Sequence, residues 1–341
     1  MTNSKKIYIK AYTRINLGDD LFIHILCSRY PNVTFYLKAH KNFTDIFKDI
    51  KNLIIQDDFT NIKFDANVYI GGSIFIESAP TSCDRVLDLK DEIIKENTPT
   101  FIIGANFGPY KTEKYFNTVK NEIIKNVKSI TFRDKYSYNL FKDLPNVYYA
   151  PDTVFTLDTS NFKKINSNEI GISLIHHLER ENLEQNYEKY LNTISNFAKH
   201  YINKDFNIRL FSFCEYEKDL IAINLFKSKF NEDELKHIFI TDYQGDINTI
   251  LSEINNLNCF ITTRFHATIL GIKLDVPVIP ICYSNKTINV LEDLDFPNEN
   301  IYTFNNIENL DYSIPEIFKT EKIKDAIKQF EDLDKHLKNN L

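Results

Sequence analysis

Two residues apart, Arg264 and His266 interrupt the chain where an apolar run, Cys259–Thr262, gives way to a helical pattern. If strand geometry persists to His266, both side chains point the same way. A cation and an imidazole at a helix start oppose the helix dipole. A bound anion reverses that penalty, because the free N–H groups, Arg264 and protonated His266 all favour it. The structural alternative is a core histidine satisfied by a carbonyl. Arg133-Asp134 follows a second apolar run, Ser129–Phe132. Arg133 is either an anion clamp or a solvated partner of a helix-capping Asp134. Only seven of the 41 basic residues are arginine, which favours a geometric demand at both positions.

Glycine is equally sparse, with eight in the chain. Five of them fall in three loops, each after an apolar run: Asn16-Leu17-Gly18-Asp19-Asp20, Gly71-Gly72-Ser73 and Gly104-Ala105-Asn106-Phe107-Gly108-Pro109. One glycine alone is a tight turn, whereas five in three such loops describe a surface where backbone approaches a ligand. Asp19 and Asp20 also suit the first turn of a helix as capping residues, and Asp20 is given only that role. His176-His177 ends another apolar run and is read as a solvated loop. His24, His40, His200, His237 and His336 are read as surface or helix-face residues.

Several chemistries lack their motifs. No H-x-x-x-H, D-x-D or His/Cys cluster suggests a metal. No P-loop, G-x-S-x-G or G-x-G-x-x-G is present. The five cysteines are scattered, odd in number and without a C-x-x-C pair, so neither a disulfide framework nor a zinc ribbon is expected. Cys27, Cys259 and Cys282 lie in apolar runs and read as buried reduced thiols.

The elements that must position these residues alternate regularly. Short apolar runs end at the loops above and are followed by amphipathic segments, over and over. That rhythm predicts parallel sheets covered on both faces by helices. The polar stretch Thr159–Asn168 breaks it, and a new strand starts at Glu169. The expected architecture is therefore α/β, with two Rossmann-like domains, residues 1–160 and 168–312, and a helical tail, 313–341. The domains are expected to face each other across a cleft, since ligands bind beyond the carboxyl ends of parallel strands.

Composition sets the outer limits. The chain has 341 residues, 43% hydrophobic and 26% charged, enough for two cores. A net charge of −6 without basic blocks argues against nucleic-acid binding. Met1–Lys10 lacks the apolar core of a signal peptide, and no stretch has the length of a membrane span. A cytoplasmic location is expected, with a peripheral membrane contact left open.

Taken in order, these motifs resemble the polysaccharide pyruvyl transferase family. The ordered set comprises Asn16-Leu17-Gly18-Asp19, Gly71-Gly72-Ser73, Gly104–Pro109, Arg133-Asp134 with Ser137, Ala150-Pro151-Asp152, Arg264-Phe265-His266-Ala267, and Pro277 through Tyr283-Ser284-Asn285-Lys286. It runs from about residue 8 to 295. Ser73 stands where many members carry a third glycine, and Asn106 where a glutamine is common. The resemblance implies a GT-B-like architecture and transfer of pyruvate from phosphoenolpyruvate to a sugar as a ketal. It implies a donor site of Arg133, Arg264 and His266, with the acceptor a cell-surface polysaccharide or its lipid-linked precursor. The N-terminal domain would take the acceptor and the C-terminal domain the donor.

Residue chemistry agrees with that implication. Two arginines suit the phosphate and carboxylate of phosphoenolpyruvate. An imidazole suits proton delivery to the methylene carbon, which falls to His266. A carboxylate must take the hydroxyl protons: Asp19 first, Asp152 second. Gly18, Gly72, Asn106, Asp152, Tyr283 and Lys286 complete the expected binding surface, and no metal or organic cofactor is required. Two other readings stay open. One is a GT-B glycosyltransferase using a sugar nucleotide, with Asp242-Tyr243-Gln244-Gly245-Asp246 as a base and ribose pocket. The other is a non-catalytic binder of an anionic sugar, which the presence of both Arg264 and His266 disfavours.

Overall fold

A computed structural model describes residues 4–59, 62–79, 81–95, 98–165, 167–176 and 183–338. The chain divides into two units. The first comprises Met1–Thr13, Asp19–Leu157 and Glu321–Leu341; the second comprises Arg14–Gly18 and Asp158–Thr320.

The first unit is built on seven parallel strands: β1 (Lys6–Lys10), β2 (Thr34–Leu37), β3 (Leu53–Ile55), β4 (Ala66–Ile70), β5 (Thr100–Ala105), β6 (Ser129–Phe132) and β7 (Val147–Tyr149), in the order β3-β2-β1-β4-β5-β6-β7. β4, β5 and β6 are buried along their whole length, the pattern of strands covered on both faces. The helices α1 (Leu17–Arg29), α2 (Ser82–Lys95), α3 (Glu113–Thr118) and α4 (Lys135–Phe141) alternate with them. Val119–Ile124 continues α3 as a π-helical turn. One core joins Ile102, Ile130 and Phe132 to Tyr115, Ile123 and Phe141.

The second unit has six parallel strands: β8 (Glu169–Ser173), β9 (Asn207–Ser212), β10 (Ile238–Asp242), β11 (Cys259–Thr262), β12 (Val278–Cys282) and β13 (Tyr302–Thr303), in the order β10-β9-β8-β11-β12-β13. Its helices are α5 (Glu184–Ile202), α6 (Asp219–Lys227), α7 (Glu232–Leu235), α8 (Ile247–Asn255), α9 (Phe265–Lys273) and α10 (Asn285–Asp293). Gly171 and Gly271 mark close packing. A Cβ on Gly171 would strike Leu257, and one on Gly271 would strike Val278.

The C-terminal segment, expected as a tail of its own, groups with the first unit. It forms a 3₁₀ helix over Glu321–Phe330 and then α11 (Glu331–Lys338). Asp334 pairs with Arg29 at 2.7 Å and accepts from the Tyr30 hydroxyl, while Phe330 is fully buried beneath the Arg29 guanidinium.

Strand order shows where each sheet reverses direction. In the first sheet the chain runs outward through β2 and β3, then returns to β4 on the other side of β1. In the second it runs out through β9 and β10 and returns to β11 beside β8. Such reversals open a crevice at the strand ends where ligands bind in open α/β sheets. Gly71-Gly72 follow β4 and Thr263-Arg264 follow β11, so the loops picked out by residue type lie at the two reversals.

Candidate functional site

In the second unit the turn from β11 into α9 is fixed from below. The Ser173 hydroxyl, at the end of β8, accepts from the Thr263 and Arg264 backbone N–H groups at 3.1 and 3.3 Å. The Tyr190 and Thr263 hydroxyls meet at 2.9 Å. Arg264 is the residue capping α9, in extended conformation, and no side chain caps that helix end. The strand therefore ends before Arg264, and Arg264 and His266 do not alternate as strand residues. They occupy the cap and the first turn of a helix whose N–H groups open toward the strand ends.

Arg264 is 7% exposed. Its Nη1 pairs with Glu217 and its Nη2 with Asp219, which is fully buried. Asp219 Oδ2 also accepts from the Phe213 and Cys214 N–H groups at 2.9 and 3.0 Å. Burial opposes the charge on Arg264, but Asp219 and Glu217 outweigh it and hold the guanidinium well above its usual range. The Arg264 Nε–H is buried with no hydrogen-bond acceptor among the described residues.

The segment before α1 completes this cluster. The Leu17 N–H donates to the Phe213 carbonyl at 3.1 Å. Asn16 donates to Glu217 Oε1 at 3.2 Å and accepts from the Gly18 N–H at 3.1 Å. Gly18 lies flat against His266, and a Cβ there would run into the imidazole ring. His266 also meets Phe265 edge-on at 5.0 Å. Beyond β12, Lys286 Nζ sits 5.6 Å from the Phe265 ring centre and 6.0 Å from that of Tyr283. Ser284 caps α10 by position without a side-chain hydrogen bond. Gly18, Arg264, His266, Tyr283 and Lys286 thus fall in one region of one unit.

The first unit holds the remaining expected residues in a different state. Arg133 is 2% exposed and bonds Asp152 Oδ2 at 2.9 Å and Asn106 Oδ1 at 2.8 Å. Asp152 is fully buried, and its other oxygen accepts from the Val154 N–H at 2.9 Å. Gly72 lies against the guanidinium so closely that a Cβ would collide with it, and its carbonyl accepts from the Asn106 N–H at 2.7 Å. Arg133, Asn106 and Asp152 therefore form a hydrogen-bonded network beneath Gly72. Asp152 has both oxygens engaged and no exposure. Asp19 differs: it is half-buried, with Oδ1 3.9 Å from where a Gly71 Cβ would stand.

Two braces support this network. Asp134 caps α4 through the Ser137 N–H at 2.7 Å, and Ser137 Oγ accepts from the Phe107 N–H at 2.8 Å. Burial pushes the Asp134 carboxyl up, with the two Ser137 bonds opposing. Gln329, 2% exposed, accepts from the Gly104 N–H at 2.9 Å and donates to the Ala150 and Pro151 carbonyls at 2.7 and 3.1 Å.

Other expectations are settled locally. His176 is 4% exposed and meets Tyr187 edge-on, so it is a packed side chain rather than a solvated one; His177 lies outside the described residues. In the Asp242–Asp246 loop, Tyr243 is 1% exposed, Gln244 bonds Asp242, and Asp246 caps α8 through Thr249. All five cysteines are free and buried, and burial pushes the Cys259 and Cys282 thiols up to about 12, far from reactivity. Among the described residues, no helix is long and apolar enough to cross a membrane.

The sequence reading missed Glu217, Asp219, Ser173 and Gln329. Glu217 and Asp219 did carry a signal, as two carboxylates two residues apart just beyond β9.

The model of the family described as polysaccharide pyruvyl transferase matches residues 16–285. The chain belongs to the polysaccharide pyruvyl transferase family. A comparison with curated proteins finds no match. Among solved structures, UDP-GlcNAc 2-epimerase of Methanocaldococcus jannaschii superposes with a TM-score of 0.59 at 14% identity, covering 97% of this chain and 99% of that one. UDP-N-acetylglucosamine 2-epimerase of Rickettsia bellii gives 0.59 at 12% identity, over 99% and 97%. Anabaena HepE in complex with UDP gives 0.56 at 8% identity, over 98% and 100%. At such identities the likeness is one of fold: two parallel-sheet α/β domains of the GT-B type.

Proposed function

We propose that this pyruvyl transferase family member moves pyruvate from phosphoenolpyruvate onto two hydroxyls of one sugar as a ketal, releasing phosphate. The sugar belongs to a cell-surface polysaccharide or its lipid-linked precursor. The observation that carries the donor assignment is the buried Arg264 Nε–H, without an acceptor among the described residues, at a helix start with no side-chain cap beside His266. A buried donor of that kind is costly unless a ligand satisfies it.

The chemistry follows from the donor. His266 delivers a proton to the methylene carbon, making C2 electrophilic. One sugar hydroxyl adds to C2 and loses its proton. Phosphate then departs with the C–O bond electrons, and the second hydroxyl closes the ketal. Asp19, which follows Gly18 directly in the chain, is the proposed acceptor of the hydroxyl protons. Tyr283 and Lys286 extend the donor surface, with the Lys286 ammonium drawn toward phosphate. General acid catalysis of this kind contributes about 10²- to 10⁴-fold.

The test is acceptor-dependent phosphate release from phosphoenolpyruvate across a panel of glycans, with the ketal methyl group followed by NMR. His266→Asn should abolish turnover and keep donor binding. Loss of binding as well would make His266 a ligand clamp instead of the acid. The UDP in the HepE complex makes sugar-nucleotide transfer the second reading. The buried Tyr243 and the self-contained Asp242–Asp246 turn speak against the nucleotide pocket expected there.

A further inference from the structure

Arg264 faces two carboxylates of very different standing. Asp219 has no exposure, begins α6, and is tied to two backbone N–H groups. The Glu217 side chain is 21% exposed and lies on the single 3₁₀ turn Glu215–Glu217, in which no residue is buried. Lys218, which separates the two, sits at φ 63°, a left-handed conformation that costs a side-chain-bearing residue energy. Asp219 is the fixed partner and Glu217 the exchangeable one.

The charges point the same way. One guanidinium against two carboxylates leaves the cluster one negative charge in excess, and an anionic donor arriving on top of it would add to that excess in a buried place. Exchange of Glu217 for a carboxylate of the ligand keeps the number of carboxylates on Arg264 constant and reuses a geometry that Arg264 already makes. We propose that Glu217 is a built-in stand-in for the donor's carboxylate, occupying Arg264 in the unliganded chain and leaving when a carboxylate ligand binds. This rests on the reading of Arg264 as the donor anchor, and it makes Glu217 a specificity residue: the exchange rewards anions that carry a carboxylate over those that carry phosphate alone. Asn16 links the exchange to the proposed acid, because it holds Glu217 with its amide N–H and the Gly18 N–H with its carbonyl, and Gly18 packs on His266.

The experiment is calorimetric titration of the full chain and its E217Q variant with phosphoenolpyruvate, pyruvate and inorganic phosphate. Removing the competing charge should tighten phosphoenolpyruvate and pyruvate by about tenfold or more, and inorganic phosphate, which gains only the relief of a nearby like charge, by distinctly less. Melting curves check that the variant is folded, and Glu217→Ala should shift affinity in the same direction. Carboxylate affinity unchanged or weakened in the folded variants, or no carboxylate binding to either form, overturns the stand-in role. The two readings separate cleanly. Phosphoenolpyruvate bound by the wild type but no tighter by E217Q sinks the stand-in alone. Pyruvate tightened by E217Q with phosphoenolpyruvate never bound sinks the donor assignment alone.

Discussion

Gly18→Ala is the sharpest perturbation the geometry offers. The added methyl would lie within the His266 ring, so the imidazole or the backbone of the α1 start must give way. Gly18 is itself buried and held by Asn16, and the Leu17 N–H ties the preceding residue to Phe213. The side chain is therefore the part that moves, by on the order of 1 Å. A displacement of that size at a reacting group costs about 100-fold in rate. Forcing one methyl into a packed contact costs about 1–3 kcal/mol of stability. Arg264 is untouched, so donor affinity should stay within about threefold while kcat falls about 100-fold, the partition of a residue that acts after binding. Steady-state phosphate release with a saturating acceptor, alongside phosphoenolpyruvate titration, reads both quantities. A variant that keeps kcat within about threefold, or that loses donor affinity and kcat in equal measure, would refute the placement of His266 as the proton donor oriented by Gly18.

Two further outcomes follow from burial. Asp152→Asn leaves Arg133 as an uncompensated charge in the interior, at a cost of about 3–5 kcal/mol. Chemical denaturation should show that loss with the denaturant slope unchanged, and a loss under about 1 kcal/mol would mean the pair is not the structural brace described. Burial pushes the His24 imidazole below its usual value, against opposing contributions from Ile46 and Asp49. The unfolded chain therefore binds the proton more readily, and stability contributed by neutral His24 is present above pH about 6.5 and lost as pH falls through the depressed folded value. Melting temperature against pH should show this slope, and His24→Phe should flatten it.

Much of the site was legible because geometry restricts residue choice. Gly18 and Gly72 are glycines because an imidazole and a guanidinium occupy the space of their side chains, and a scarce residue at a strand end announces such contacts. Arg264 and His266 were visible for the same reason. What Arg264 touches was not, because Glu217 and Asp219 come from a different strand-to-helix connection 47 and 45 positions earlier. The partners of Arg133 were hidden on similar grounds: rarity signalled importance, but only the fold shows that it bonds Asp152 and Asn106. Gln329 carried no local signal, since its partners lie 178 to 225 positions away. Spacing within one βα unit reports which residues face the strand ends, and it says nothing about partners that the sheet order brings together.

The central claim is that the second unit holds an anion site for phosphoenolpyruvate anchored by Arg264. Calorimetric titration with phosphoenolpyruvate, with UDP and CMP alongside and Arg264→Ala as the control, tests it without knowledge of the acceptor. The account predicts that phosphoenolpyruvate alone binds and that the variant loses it. Binding of a nucleotide in place of phosphoenolpyruvate, or phosphoenolpyruvate binding that survives Arg264→Ala, would contradict it.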